Sequence, residues 1–174
     1  GLLAWLTYNA TCRPSGDASA VAGNETTAAA PVPEAPASAE AIASCQGDIN
    51  TLMTNKTINF QSGSAYLAAD STAVIEELAK ALTPCSGTKV EIQGHTDLVG
   101  SADLNQTLSQ SRAETVMKLL VEKGVPADRL AAKGYGASQP IENARNPVAN
   151  AKNRRTVFAV SAANAAPAAT TEGQ

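Results

Sequence analysis

The sequence has a single histidine in 174 residues, His95, which excludes a zinc site built from several histidines. It has only three cysteines, Cys12, Cys45 and Cys85. They form no CxxC pair and have no histidine at ligand spacing, so a structural zinc site is not expected. Neither Cys45 nor Cys85 sits in a recognisable nucleophile turn, which argues against a thiol hydrolase using His95. No GK[ST] follows any glycine-rich stretch, so there is no phosphate-cradling loop. No internal repeat is visible. The net charge of −3 gives no footing for nucleic acid or for anionic membranes in general.

Long apolar runs are also missing. The opening "GLLAWLTY" is the nearest thing to one, and a bilayer span needs about 20 apolar residues. Residues 1–12 therefore read as the remnant of a membrane anchor, with Trp5 and Tyr8 at the interface, or of a signal segment. Residues 13–43 are rich in Ala, Pro, Ser, Thr and Gly, as in "TTAAAPVPEAPASAEA". Pro31, Pro33 and Pro36 break helices there, and few large apolar side chains offset the entropy of ordering. This stretch reads as a flexible linker. Residues 162–174, "AANAAPAATTEGQ", read as a tail of the same kind.

The folded part is expected at residues 44–161. "SCQGDINTLMT" fits a short helix with Ile49, Leu52 and Met53 on one face. "KTINF" is short and β-prone. A helix follows Asp70, a candidate N-cap, and buries Val74, Ile75, Leu78 and Leu82. "KVEIQ" alternates like a half-buried strand. A loop from Gly94 to about Ala102 leads into a long helix through Lys123, with Leu104, Leu108, Val116, Leu119 and Leu120 inward and Gly124 as the stop. "DRLAAKGYG" and "RTVFAV" read as two further strands, separated by a loop containing about one helical turn. This order gives an α+β sandwich, with helices packed on a mixed sheet of about four strands.

The motif around the histidine is specific. Gly94, His95, Thr96, Asp97, Gly100, Asn105, Leu108, Ser109, Arg112, Ala113 and Val116 are followed by Gly134, Tyr135, Gly136 and Pro140, then by Ala151 to Arg155. In order and spacing these residues resemble the OmpA-like C-terminal domain family, which includes the peptidoglycan-associated lipoprotein and MotB. The resemblance spans the whole folded part. It implies non-covalent, non-enzymatic binding of peptidoglycan through the diaminopimelate of the stem peptide, in an extracytoplasmic envelope location, without metal or cofactor. Asp97 and Arg112 are the implied ligand-binding pair, with Asn105 and Arg154 beside them.

The chemistry fits that implication. The free end of diaminopimelate carries an ammonium and a carboxylate on one carbon. Asp97 would hold the first and Arg112 the second, preferably bidentate. Asn105, Ser109 and Arg112 share a helix face and would form a polar binding wall. His95 reads as ordering the loop rather than catalysing. The glycines of the motif suit turns.

The family often places an Asp soon after the Phe at position 60; here Gln61 and Ser62 follow, so ligand contacts from this loop are the weakest part of the resemblance. No series of alternating strands precedes the domain, so it is not a pore by the family's barrel route. A scaffold or adhesin that binds a protein partner through the same domain is the alternative. An extracytoplasmic placement also permits a Cys45–Cys85 disulfide between element ends, leaving Cys12 unpaired. "NATC" lacks the Leu expected three residues before a lipidated cysteine.

Overall fold

Val90 and Ile92 mark the centre of the fold. The computed structural model describes residues 36–164. The N-terminal apolar segment, most of the linker, Cys12 and nearly all of the tail lie outside the described residues. The strand β1 (Thr88–His95) runs parallel to β2 (Leu130–Gly136) and antiparallel to β3 (Thr156–Ala162), in the order β2-β1-β3. Its alternation buries Val90 and Ile92 while Glu91 and Gln93 stay half-exposed.

Among the described residues four α-helices accompany the sheet: α1 (Ala39–Asn55), α2 (Ser71–Leu82), α3 (Ala102–Glu122) and α4 (Pro147–Asn153). Ile49 of α1, with Val74, Ile75, Leu78 and Leu82 of α2, joins Ala113, Val116 and Leu120 of α3 over the sheet, where Phe158 of β3 completes one apolar core. The α+β class holds, with several local corrections. The first helix starts at Ala39 rather than Ser44, because Ser38 caps it by accepting from the Ala41 amide at 3.2 Å. Asp70 occupies the N-cap of α2 but makes no capping bond. Its carboxylate instead accepts from Asn59 Nδ2 at 3.4 Å and Ser71 Oγ at 3.3 Å. Leu104 is 71% exposed, not buried. In the first turn of α3 the inward position belongs to Asn105, which serves the preceding loop.

The sheet has three strands among the described residues, not four. The β-prone "KTINF" contributes only one isolated bridge, Phe60 to Leu67. Side chains close both sheet edges in place of a further strand. Gln46 of α1 donates to Phe158 O at 2.8 Å and accepts from the Val160 amide at 2.8 Å. On the other edge, Gln110 accepts from the Gly134 amide at 2.7 Å and donates to Ala132 O at 3.3 Å. Gln106 donates to Gly134 O at 2.7 Å, and Ser109 Oγ accepts from the Gly136 amide at 2.8 Å. These amides satisfy edge groups that would otherwise invite another chain.

Such bonds need α3 to lie almost on the strands. Gly94 and Gly134 make that possible. They pair with each other inside β1 and β2 rather than forming turns. A Cβ on Gly94 would meet Ser109 O at 2.3 Å, and one on Gly134 would meet the Gln110 amide nitrogen at 2.4 Å. The two glycines fix the height of α3, and with it the position of Arg112.

At the opposite end of the sheet, Cys45 and Cys85 form a disulfide with Cα atoms 5.9 Å apart. It ties α1 to the turn between α2 and β1. Arg129 braces the same turn, donating through Nε to Thr88 O at 3.1 Å and through Nη2 to Leu82 O at 3.3 Å, to Cys85 O and to Thr88 Oγ1.

Candidate functional site

The site lies where β1 ends and α3 begins. The β1–β2 register shifts between Gly94 and His95, so the chain leaves the sheet there. The His95 amide donates to Arg155 O at 3.0 Å and the Thr96 amide to Gly136 O at 2.9 Å. Asp97 then turns the loop back, its Oδ1 accepting from the Val99 amide at 3.1 Å. Asn105 Nδ2 locks this turn by donating to Val99 O at 2.9 Å and, more weakly, to Asp97 O at 3.4 Å. Ser101 caps α3 by accepting from the Leu104 amide at 3.3 Å. Asn105 thus works as a brace of the loop, while still lining the cleft that opens beside it.

Arg112 reaches this cleft from about two turns beyond Asn105 along α3. Its Nε donates to Ser64 O at 2.9 Å, and its guanidinium lies 5.0 Å from the Phe60 ring centroid. Nη1 and Nη2 have no protein acceptor among the described residues. Burial, with the neighbouring Arg154 charge, lowers the Arg112 pKa, while Asp97 opposes the shift.

Arg154 enters from the end of α4 and donates through Nη1 to Asp97 Oδ2 at 2.7 Å. The segment before it is pinned by Asn153, which is fully buried. Asn153 accepts from the Ile141 and Glu142 amides at 2.8 and 3.0 Å and donates to Glu142 O at 2.7 Å.

All four expected ligand residues, Asp97, Arg112, Asn105 and Arg154, therefore line one cleft of about 650 Å³. Ser62 and Gly63 form its opposite wall, whereas Gln61 is not part of the lining. Ser109 is a correction: it is fully buried and spent on β2, so the polar stripe of α3 is not a continuous binding wall. The sequence reading also missed Phe60 as a cation–π partner, the Ser64 carbonyl and Asn153. An aromatic beside a Ser/Gly turn was the available signal for the first two; nothing in the local pattern marked Asn153.

His95 is buried and stacks on Tyr135, with ring centroids 5.3 Å apart and planes 12° from parallel. Neither ring nitrogen has a hydrogen-bond partner among the described residues. Burial, then the Arg155 charge, lowers its pKa to about 4. It orders the loop by stacking and through its backbone amide.

The helix-backed sheet of this α+β domain thus brings one carboxylate, Asp97, and two guanidinia, Arg112 and Arg154, around one cleft. The chain belongs to the OmpA family, whose profile matches residues 59–154. It is 36% identical over 128 residues to the peptidoglycan-binding protein ArfA of Mycobacterium tuberculosis, covering 74% of this chain and 39% of ArfA. It is 35% identical over 105 residues to outer membrane porin F of Pseudomonas fluorescens, covering 60% of this chain and 32% of the porin. The chain thus spans about a third of the length of these two relatives. Among solved structures, the peptidoglycan-associated lipoprotein from Burkholderia pseudomallei superposes with a TM-score of 0.59 at 26% identity, covering 67% of this chain and 99% of the lipoprotein. The periplasmic domain of Helicobacter pylori MotB shares the fold, with a TM-score of 0.55 at 24% identity over 60% of this chain and 70% of that domain.

Proposed function

We propose that this domain binds peptidoglycan non-covalently, gripping the free zwitterionic end of diaminopimelate in the stem peptide. The observation that carries the reading is the pairing of Asp97 with the unspent Nη1 and Nη2 of Arg112 across one cleft. The ligand carboxylate accepts from Arg112, and the ammonium approaches Asp97 Oδ2. Arg154 holds that oxygen, but its side chain is 49% exposed. It is free to swing toward the ligand carboxylate and yield Oδ2 to the ammonium, an exchange of one ion pair for two. Relatives named as a peptidoglycan-binding protein and a peptidoglycan-associated lipoprotein support the reading.

The role is binding rather than catalysis. It would tether an envelope protein to the wall on the extracytoplasmic side, anchored to a membrane through the N-terminal segment. No helix among the described residues is long and apolar enough to cross a membrane. Exposed Val99 and Leu104, beside the cleft, favour the second reading of a protein partner.

Co-sedimentation with purified sacculi separates the two. Free meso-diaminopimelate is expected to release the bound protein, and amidation of its free-end carboxylate to weaken that competition. Sacculus binding that is indifferent to diaminopimelate would contradict the clamp and leave the protein-partner reading.

A further inference from the structure

A second, smaller chamber of about 220 Å³ adjoins the cleft. Arg112 and Arg154 line both spaces and form the wall between them. Arg155, Thr156, His95, Thr57 and Asn59 supply the rest of its polar lining, and among the described residues no acidic one lines it. Asp97 lies only on the cleft side. Arg155 donates to the backbone oxygens of Gln139 at 3.1 Å and Asn153 at 3.4 Å but meets no carboxylate among the described residues. Burial lowers its pKa. Three guanidinia converge here and only Arg154 has a carboxylate partner, Asp97; Arg112 and Arg155 have none among the described residues, which leaves unspent attraction for an anion. His95 also lines the chamber: it is 3% exposed, and its two ring nitrogens, closed to solvent, have no partner among the described residues. Buried polar atoms are rarely left so.

Resting on the diaminopimelate reading of the cleft, we propose that this chamber is a carboxylate subsite for the C-terminal carboxylate of the same stem peptide, held by Arg155 beside Arg112, with the His95 ring in its lining. The two carboxylates of the ligand would then straddle the Arg112–Arg154 wall. The domain would favour stems that end in a free acid near the diaminopimelate over stems whose terminus is blocked.

The test uses the full chain and two synthetic tetrapeptides, L-Ala-γ-D-Glu-meso-diaminopimelate-D-Ala, one with a free C-terminal acid and one with a C-terminal amide. Both keep the zwitterionic end. Affinity is read by calorimetry, and the chamber by the imidazole NMR signals of the single histidine. The acid is expected to bind about tenfold more tightly, the worth of one charge-assisted hydrogen bond, and it alone should move the imidazole signals. Arg155→Gln should reduce the acid to the amide's affinity and leave the amide unchanged. Equal affinities, or an equal loss for both peptides in Arg155→Gln, would overturn the subsite while leaving the clamp standing. If neither peptide binds, the clamp reading falls. Acetate then decides the subsite: a saturable imidazole shift in the wild type that Arg155→Gln abolishes sustains it, and no shift removes it.

Discussion

Arg129 and Arg112 are equally exposed, at 9% each, yet they occupy opposite kinds of place. Arg129 sits at the floor of the fold, where Nε and Nη2 together make four bonds to the turn that carries Cys85 and Thr88. Arg112 sits at the cleft, where one bond from Nε and a ring face hold it while both terminal nitrogens stay open. Burial therefore does not tell the two apart. The proposed binding role of Arg112 rests instead on its two open terminal nitrogens. The same contrast runs through the neighbours. The floor is closed by a disulfide and satisfied carbonyls, whereas the other end has a histidine with no hydrogen-bond partner among the described residues, in the chamber, and a carboxylate shared with a half-exposed arginine, in the cleft. Rigid, fully paired structure at one end lets the other end hold groups that are ordered but not spent.

Breaking the floor should cost stability and spare binding. The largest effect is expected from removing the disulfide with Cys45→Ala and Cys85→Ala. The bridge closes a loop of 40 residues, worth up to about 4 kcal/mol by the chain-entropy account. Urea unfolding should show a lower midpoint, while sacculus binding by the folded fraction stays at the wild-type level. Arg129→Met should follow at about 3 kcal/mol, since it orphans buried carbonyls, again with unchanged sacculus binding. Loss of binding by this variant under conditions where it is folded would erase the distinction between the two arginines.

His95 sharpens the comparison through pH. Its folded-state pKa, about 4, lies below the ordinary value of 6.5. The unfolded chain therefore takes up the proton first as pH falls. The stability contributed by the neutral ring is complete above pH 6.5, is lost between 6.5 and 4, and changes no further below that. Linkage sets the loss at up to about 3 kcal/mol. His95→Phe keeps a ring against Tyr135 and should flatten unfolding midpoints across that window relative to the wild type. An identical pH slope in both proteins would mean that other groups carry the acid sensitivity.

Much of this contrast was legible in the sequence at the cleft and little of it at the edges. The resemblance carried by the motif from Gly94 to Arg155 implied Asp97, Arg112, Asn105 and Arg154, and the structure brings these four to one cleft. The Cys45–Cys85 pair was readable from its place at element ends. The fourth strand was not there because the glutamines at 46, 106 and 110 close the sheet, and a side-chain amide in place of a strand leaves no period-2 pattern. Ser109 looked like binding surface because helix-face geometry does not say what a polar group is bonded to. Gly94 and Gly134 looked like turns because close backbone approach between α3 and the strands is a tertiary fact. Leu104 looked buried because its spacing suited the core, which the first turn of α3 does not reach.

The most direct test of the central claim is sacculus co-sedimentation of Asp97→Ala and Arg112→Ala, with folding verified by circular dichroism. Loss of one partner from a desolvated charged contact costs about 2–5 kcal/mol, roughly 30-fold or more in affinity. Both variants are therefore expected to stay folded and remain in the supernatant. Wild-type sedimentation by both folded variants would contradict the cleft as the place where the wall is held.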